Sequence, residues 1–126
     1  MNPVEKAVEL TIQSFEKGVA KALDTVGAEA LLRPCIHILL KPNLVTSAPH
    51  PITTSADFCE AVVRYIRRFS NAEIVIAEGT GSASQNTYEV FNALGYTRLS
   101  QRYGIRLVDL NTAPLKKMTI TDLSCF

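Results

Sequence analysis

Apolar residues recur along this chain at two periods, and the switch between them predicts its elements. Val4, Ala7, Val8, Ile12, Phe15, Val19, Ala22, Leu23 and Val26 fall at helical spacing and predict an N-terminal helix. Gly27 is placed to stop it, while Gly18 inside it costs about 1 kcal/mol relative to alanine. Cys35-Ile36-His37-Ile38-Leu39-Leu40 is short and nearly continuous in apolar residues, the pattern of a parallel strand covered on both faces. His37 within it reads as a satisfied core histidine. A second helix carries Phe58, Ala61, Val62, Tyr65, Ile66 and Phe69 on one face, and Thr54-Ser55-Ala56-Asp57 before it reads as a capping box. Ile74-Val75-Ile76-Ala77 predicts a second strand. Asn86-Thr87-Tyr88-Glu89 caps a short helix that Gly95 ends, and Arg98–Tyr103 adds a turn before Gly104. Ile105-Arg106-Leu107-Val108 predicts a third strand.

Strand, helix, strand, helix, strand implies right-handed crossovers and a parallel sheet with helices on its faces. The expected fold is a small doubly wound, Rossmann-like α/β three-layer sandwich with a mainly parallel sheet of three or four strands. The N-terminal helix is an extra cover, and the weak alternation over Leu115–Leu123 is the candidate fourth, edge strand. Residues 1–126 read as a single α/β domain. The chain stops at Phe126 with no helix after that strand, so the expectation is an N-terminal fragment of a longer domain.

Composition narrows the partners. Thirteen basic and twelve acidic residues leave a net charge of +1, which gives no electrostatic footprint for nucleic acid. Arg64, Arg67 and Arg68 cluster, but on what reads as the solvated face of a helix. No apolar run approaches the roughly 20 residues that cross a bilayer, and Met1–Lys6 lacks the start of a signal peptide. The expected location is cytoplasmic. Cys35, Cys59 and Cys125 are too few and too widely spaced for a disulfide framework or an iron–sulfur ligand run.

Each strand ends in a polar cluster: Lys41-Pro42-Asn43, Glu78-Gly79-Thr80-Gly81-Ser82, and Asp109-Leu110-Asn111. In open parallel α/β sheets, ligands bind just outside the carboxyl ends of the strands, so these positions mark the candidate site. Lys41, Asn43, Thr53 and Thr54 form a candidate anion pocket at the start of the second helix. Gly79, Thr80, Gly81 and Ser82 offer backbone amides to the same kind of group. GxGxxG fails at Ser84 and the loop has no lysine, so a nucleotide fingerprint is missing. Glu78 is open to several roles: general base, acceptor for a substrate hydroxyl, metal ligand, or cap for the loop's own amides. Asp109 is open to two roles: sharing a magnesium or calcium ion with Glu78, if their strands are neighbours, or beginning a turn. His50 in the long Pro42–Thr54 loop is a candidate lining residue.

Leu40-Lys41-Pro42-Asn43-Leu44-Val45, Thr53-Thr54, Ile76-Ala77-Glu78-Gly79, Phe91-Asn92-Ala93-Leu94-Gly95-Tyr96 and Val108-Asp109-Leu110-Asn111 together resemble the family called domain of unknown function 362. The resemblance runs from about residue 20 to residue 111. It implies a broadly prokaryotic protein of undefined activity, with longer relatives whose second half holds a lysine-rich stretch. Several relatives carry a ferredoxin-like segment and are labelled iron–sulfur proteins. This chain lacks that segment, so a [4Fe–4S] cluster would have to sit in an absent segment or a partner, and a divalent metal is the remaining cofactor candidate. Two readings compete. One is a small-anion-binding half of a redox-linked enzyme. The other is a non-catalytic module that docks a ferredoxin-like partner or the missing C-terminal half, which an exposed apolar patch would favour.

Overall fold

Among the described residues the sheet winds in one direction. In a computed structural model, which describes residues 7–116, three parallel strands stand in the order β1 (His37–Leu40), β2 (Glu73–Glu78), β3 (Arg106–Asp109). Between β1 and β2 runs α3 (Ala56–Phe69); between β2 and β3 run α4 (Thr87–Ala93) and α5 (Tyr96–Tyr103). Two right-handed crossovers that step the same way deliver their helices to the same face of the sheet. The core reflects this: Ile74 and Ile76 of β2 share one buried cluster with Cys59, Val63 and Ile66 of α3, Val90 and Phe91 of α4, and Tyr96 and Leu99 of α5. The result is a small α/β fold with a three-stranded parallel sheet flanked by helices, a Rossmann-like arrangement.

Two further helices, α1 (Phe15–Thr25) and α2 (Ala28–Leu32), precede the sheet. α1 packs on a second stripe of α3, where Val19 meets Ala61 and Tyr65. The Tyr65 hydroxyl donates to Asp24 Oδ1 at 2.6 Å and ties the two helices together. On another side of α3, Glu60 accepts from the Tyr103 hydroxyl at 2.6 Å and from Arg102 at 2.9 Å. No helix among the described residues is long and apolar enough to cross a membrane.

Several details differ from the sequence expectation, each for a physical reason. The opposite face of β1 is not covered by the described residues: Leu39 is 62% exposed, and Ile36 just before the strand is 75% exposed. An unbroken apolar run reports hydrophobicity, not which side a crossover lands on. His37 is not a core histidine but lies on that open face, with Nδ1 3.2 Å from the Glu73 carboxylate. The N-terminal helix begins at Phe15, because Ser14 caps it by accepting from the Lys17 amide, and Ile12 instead folds back against Gly18. The cap of α3 is Ser55, which accepts from the Asp57 amide, while Thr54 is engaged elsewhere. The capping box at Asn86 and Glu89 forms as expected. Arg64, Arg67 and Arg68 are exposed yet engaged: Arg64 donates to Tyr103, Arg67 to the Ala72 carbonyl, and Arg68 lies over the Tyr65 and Phe69 rings. The start of the N-terminal pattern at Val4, Cys125 and most of the proposed edge strand lie outside the described residues.

The asymmetry of the two faces is testable. Ile76→Ala removes a side chain fully buried among the helices and should cost about 2–5 kcal/mol. Leu39→Ala, on the open face, should stay within about 0.5 kcal/mol. Urea unfolding of the two variants against the parent chain checks the contrast, and equal losses would mean that both faces are buried.

Candidate functional site

The loop after β1 bends back over the end of β2, and its path decides what the strand ends can bind. Pro42 holds Lys41 extended, and Leu44 then turns inward with no exposed surface. Its amide points at Glu78 Oε2 at 3.4 Å, and the Val45 carbonyl accepts from the Thr80 hydroxyl at 3.1 Å. A clamp closes the rest of the loop. The Asn43 amide donates to Thr54 Oγ1 at 3.0 Å, and the Thr54 amide returns to the Asn43 carbonyl at 2.9 Å. The Tyr96 hydroxyl of α5 donates to the Thr54 carbonyl at 2.8 Å. Segments whose ends are tied this closely behave as compact Ω-like loops.

Glu78 is the hub beneath it. Its side chain is nearly buried, and its carboxylate accepts from the Gly79 amide at 2.9 Å and the Leu44 amide and pairs with Lys41 Nζ at 3.0 Å. Burial opposes the charge, but the Gly79 amide, the Lys41 ammonium and the Leu44 amide together outweigh it and hold the carboxyl below its usual range. Glu78 and Asp109 are register partners on neighbouring strands, as the sequence reading required. Each is nevertheless held by its own donors. Asp109 Oδ1 accepts from the Thr87 hydroxyl at 2.7 Å and the Asn111 amide at 2.9 Å. Among the described residues no group of three or more His, Cys, Asp or Glu side chains converges as a metal cage.

The glycine-bearing loop is similarly engaged with the chain itself. The Thr80 amide donates to Thr87 Oγ1 at 3.1 Å and the Ser82 amide to Thr80 Oγ1 at 3.2 Å. Neither Gly79 nor Gly81 has a positive φ; that conformation belongs to Gly27, Gly95 and Gly104. Gly79 is needed for a different reason. A Cβ there would lie 2.9 Å from Asn111 Cγ and 3.2 Å from the Asn111 backbone nitrogen. Asn111 in turn donates its side-chain amide to the Thr80 carbonyl at 2.9 Å.

Open space lies to the side, at the entrance to α3. A cleft of about 270 Å³ is lined by Asn43, Thr53 and Thr54 from the expected anion pocket, by His50 from the loop, and by Ile52 and the rings of Phe15 and Phe58. Thr53 is buried and donates to the Ala48 carbonyl at 2.5 Å, which shapes the wall. Lys41 does not line this cleft; it leans on Glu78. The structure therefore gathers three of the four expected anion-pocket residues and separates the lysine from them.

A family model described as Domain of unknown function (DUF362) matches residues 38–124. The chain belongs to this family. No curated protein and no solved structure matches it. The three described strands except for His37, together with α3, α4, α5 and the clamped loop, fall within the DUF362 match, whereas α1 precedes it. Phe15 thus reaches the cleft from outside the matched segment. Sequence reasoning placed Phe15 and Phe58 in apolar helix faces and missed them as cleft residues. The available signal was that Phe58 sits in the first turn of its helix, beside the loop.

Three variants test this geometry. Gly79→Ala should destabilise the chain by about 1–3 kcal/mol by displacing Asn111. Gly81→Ala, where a Cβ would meet only the Val45 carbonyl at 3.6 Å, should stay within about 0.5 kcal/mol in urea melts. Because the folded-state pKa of Glu78 is depressed from 4.5, its stabilisation is complete above that value and fades as the pH falls through the folded value. Glu78→Gln should therefore flatten the acid limb of stability, measured by urea melts from about pH 3 to about pH 6. An unchanged limb would remove Glu78 from the hub.

Proposed function

We propose that this DUF362 chain is a ligand-binding α/β module that holds a small anionic ligand at the carboxyl-end side of its sheet. Asn43 and Thr54 donate to the ligand in the cleft, Thr53 shapes its wall through its bond to the Ala48 carbonyl, and Lys41 stays paired with Glu78 at the end of β1. The observation that carries this reading is the cleft itself, since it is lined by hydroxyls and an amide that the clamped loop presents together. Asn43 has its backbone committed to Thr54, but its side-chain amide makes no hydrogen bond among those of the described residues. In this reading Glu78, Asp109 and the Gly79–Ser82 loop hold the floor in place and do not carry the chemistry. Any iron–sulfur partnership would act through another segment or protein, since three cysteines cannot supply a four-cysteine cluster site.

A second reading has its own observation. Parallel sheets are ordinarily buried on both faces, and Ile36 and Leu39 stand exposed on or beside the open one. That patch favours a module that docks against a further domain or a ferredoxin-like partner.

Thermal melting against sodium acetate, inorganic phosphate, magnesium and calcium tests the first reading. An anion at about 100 times its dissociation constant adds about 2.7 kcal/mol, a rise of several degrees that should disappear in Asn43→Ala. A shift with magnesium or calcium that disappears in Asp109→Asn would instead assign a cation to Glu78 and Asp109.

A further inference from the structure

The anion reading leaves the cleft's apolar half unexplained, and that half selects among anions. Phe15 and Phe58 meet edge to face with centroids 5.5 Å apart, and His50 stands edge-on to Phe15 at 6.3 Å. Beside them Ile52 is 58% exposed and Phe58 36% exposed. Turning Ile52 of the loop and Phe58 of α3 toward an open cleft gains nothing unless something apolar fills it. The same lining includes residues that carry neutral donors: Asn43, Thr54 and Ser55.

The decisive feature is charge. None of the residues lining the cleft is Lys, Arg, Asp or Glu. The nearby lysine is already neutralised by Glu78, 3.0 Å away. A phosphate dianion entering here would lose hydration without meeting a fixed countercharge, which is costly. A single carboxylate needs only a few neutral donors. The size agrees. An apolar cavity of about 150 Å³ accepts benzene, and this one of about 270 Å³ has room for a ring and a short arm.

We propose that the ligand of this cleft is a small ring-bearing monocarboxylate, its ring seated against Phe15, Phe58 and Ile52 and its carboxylate held by Asn43 and Thr54. This rests on the anion reading above and restricts it to one chemical class.

Amide chemical shifts of the labelled chain, titrated with four probes, test it. Phenylacetate should perturb residues 43, 50, 52–55 and 58 saturably, while acetate, inorganic phosphate and 2-phenylethanol bind at least about tenfold more weakly, a gap of about 1.4 kcal/mol. Phe58→Ala and Ile52→Ser, both at partly exposed positions, should each weaken phenylacetate about three- to tenfold with the remaining spectrum unchanged. Equal binding of acetate or phosphate at these residues would keep the anion reading and overturn the ring. Equal binding of 2-phenylethanol would overturn the carboxylate and the anion reading with it. No perturbation of the cleft by any probe would overturn both.

Discussion

Glu78 ends the central strand inside the protein, and a carboxylate without water must be met by donors or cost several kcal/mol, on the order expected for a buried ion. The donors it meets come from separate pieces of chain: the Gly79 amide that follows it, the Leu44 amide from the loop after β1, and the Lys41 ammonium. That convergence draws the first loop across the end of β2. Once Leu44 is pinned there, Thr80 can reach the Val45 carbonyl, and Thr80 is in turn fixed through Thr87 and Asn111 to the end of β3. One buried charge thus sets the path of both crossover loops. Asp109 plays the matching part on β3, accepting from the Thr87 hydroxyl that itself accepts from the Thr80 amide.

Topology supplies the second constraint. Binding crevices in open α/β sheets arise where the winding direction reverses and two loops part company. The described strands step β1, β2, β3 without reversal, so both crossovers share a face and their loops pack on one another. This explains two features at once. The crevice above the strand ends is filled by the Leu44–Val45 backbone, and the opposite face of the sheet carries Leu39 beside a polar row formed by His37, Glu73 and Arg106. β1 is also an edge among the described strands. Its outer neighbour position is where a reversal of winding would occur.

The elements that were legible in the sequence are those whose signal is local. Strands at Ile74 and Ile105, the capping box at Asn86, and the stops at Gly27, Gly95 and Gly104 each depend on a few adjacent residues, and each formed within a residue or two of expectation. The strand ends were correctly read as meeting in space, because register follows from a parallel sheet. What could not be read was anything set by long-range choice. Which face of β1 is bare depends on where α3 lands, not on Ile38 or Leu39. The glycines after Glu78 suggest a loop whose amides meet an anion, yet Gly79 is small because Asn111, thirty-odd positions later, lies against it. Lys41 was grouped with Thr53 and Thr54 on sequence proximity to one strand end, whereas the buried carboxylate claims it first.

The same buried carboxylate shapes the electrostatics of the space left over. A free lysine beside a helix entrance would make a general anion site, attractive to phosphates and carboxylates alike. Glu78 removes that possibility by pairing with Lys41, so the cleft beside the α3 entrance is polar without being charged. On the proposed reading its selectivity comes from shape and from rings, not from field strength. Phe58 belongs to the segment matched by the family model, while Phe15 arrives on α1, which packs on α3 through Val19 and the Tyr65–Asp24 hydrogen bond. The aromatic wall is therefore coupled to how firmly α1 holds α3. A change at Tyr65 or Asp24, neither of which lines the cleft, would alter it by moving Phe15, while the clamp between Asn43 and Thr54 kept the polar wall where it is.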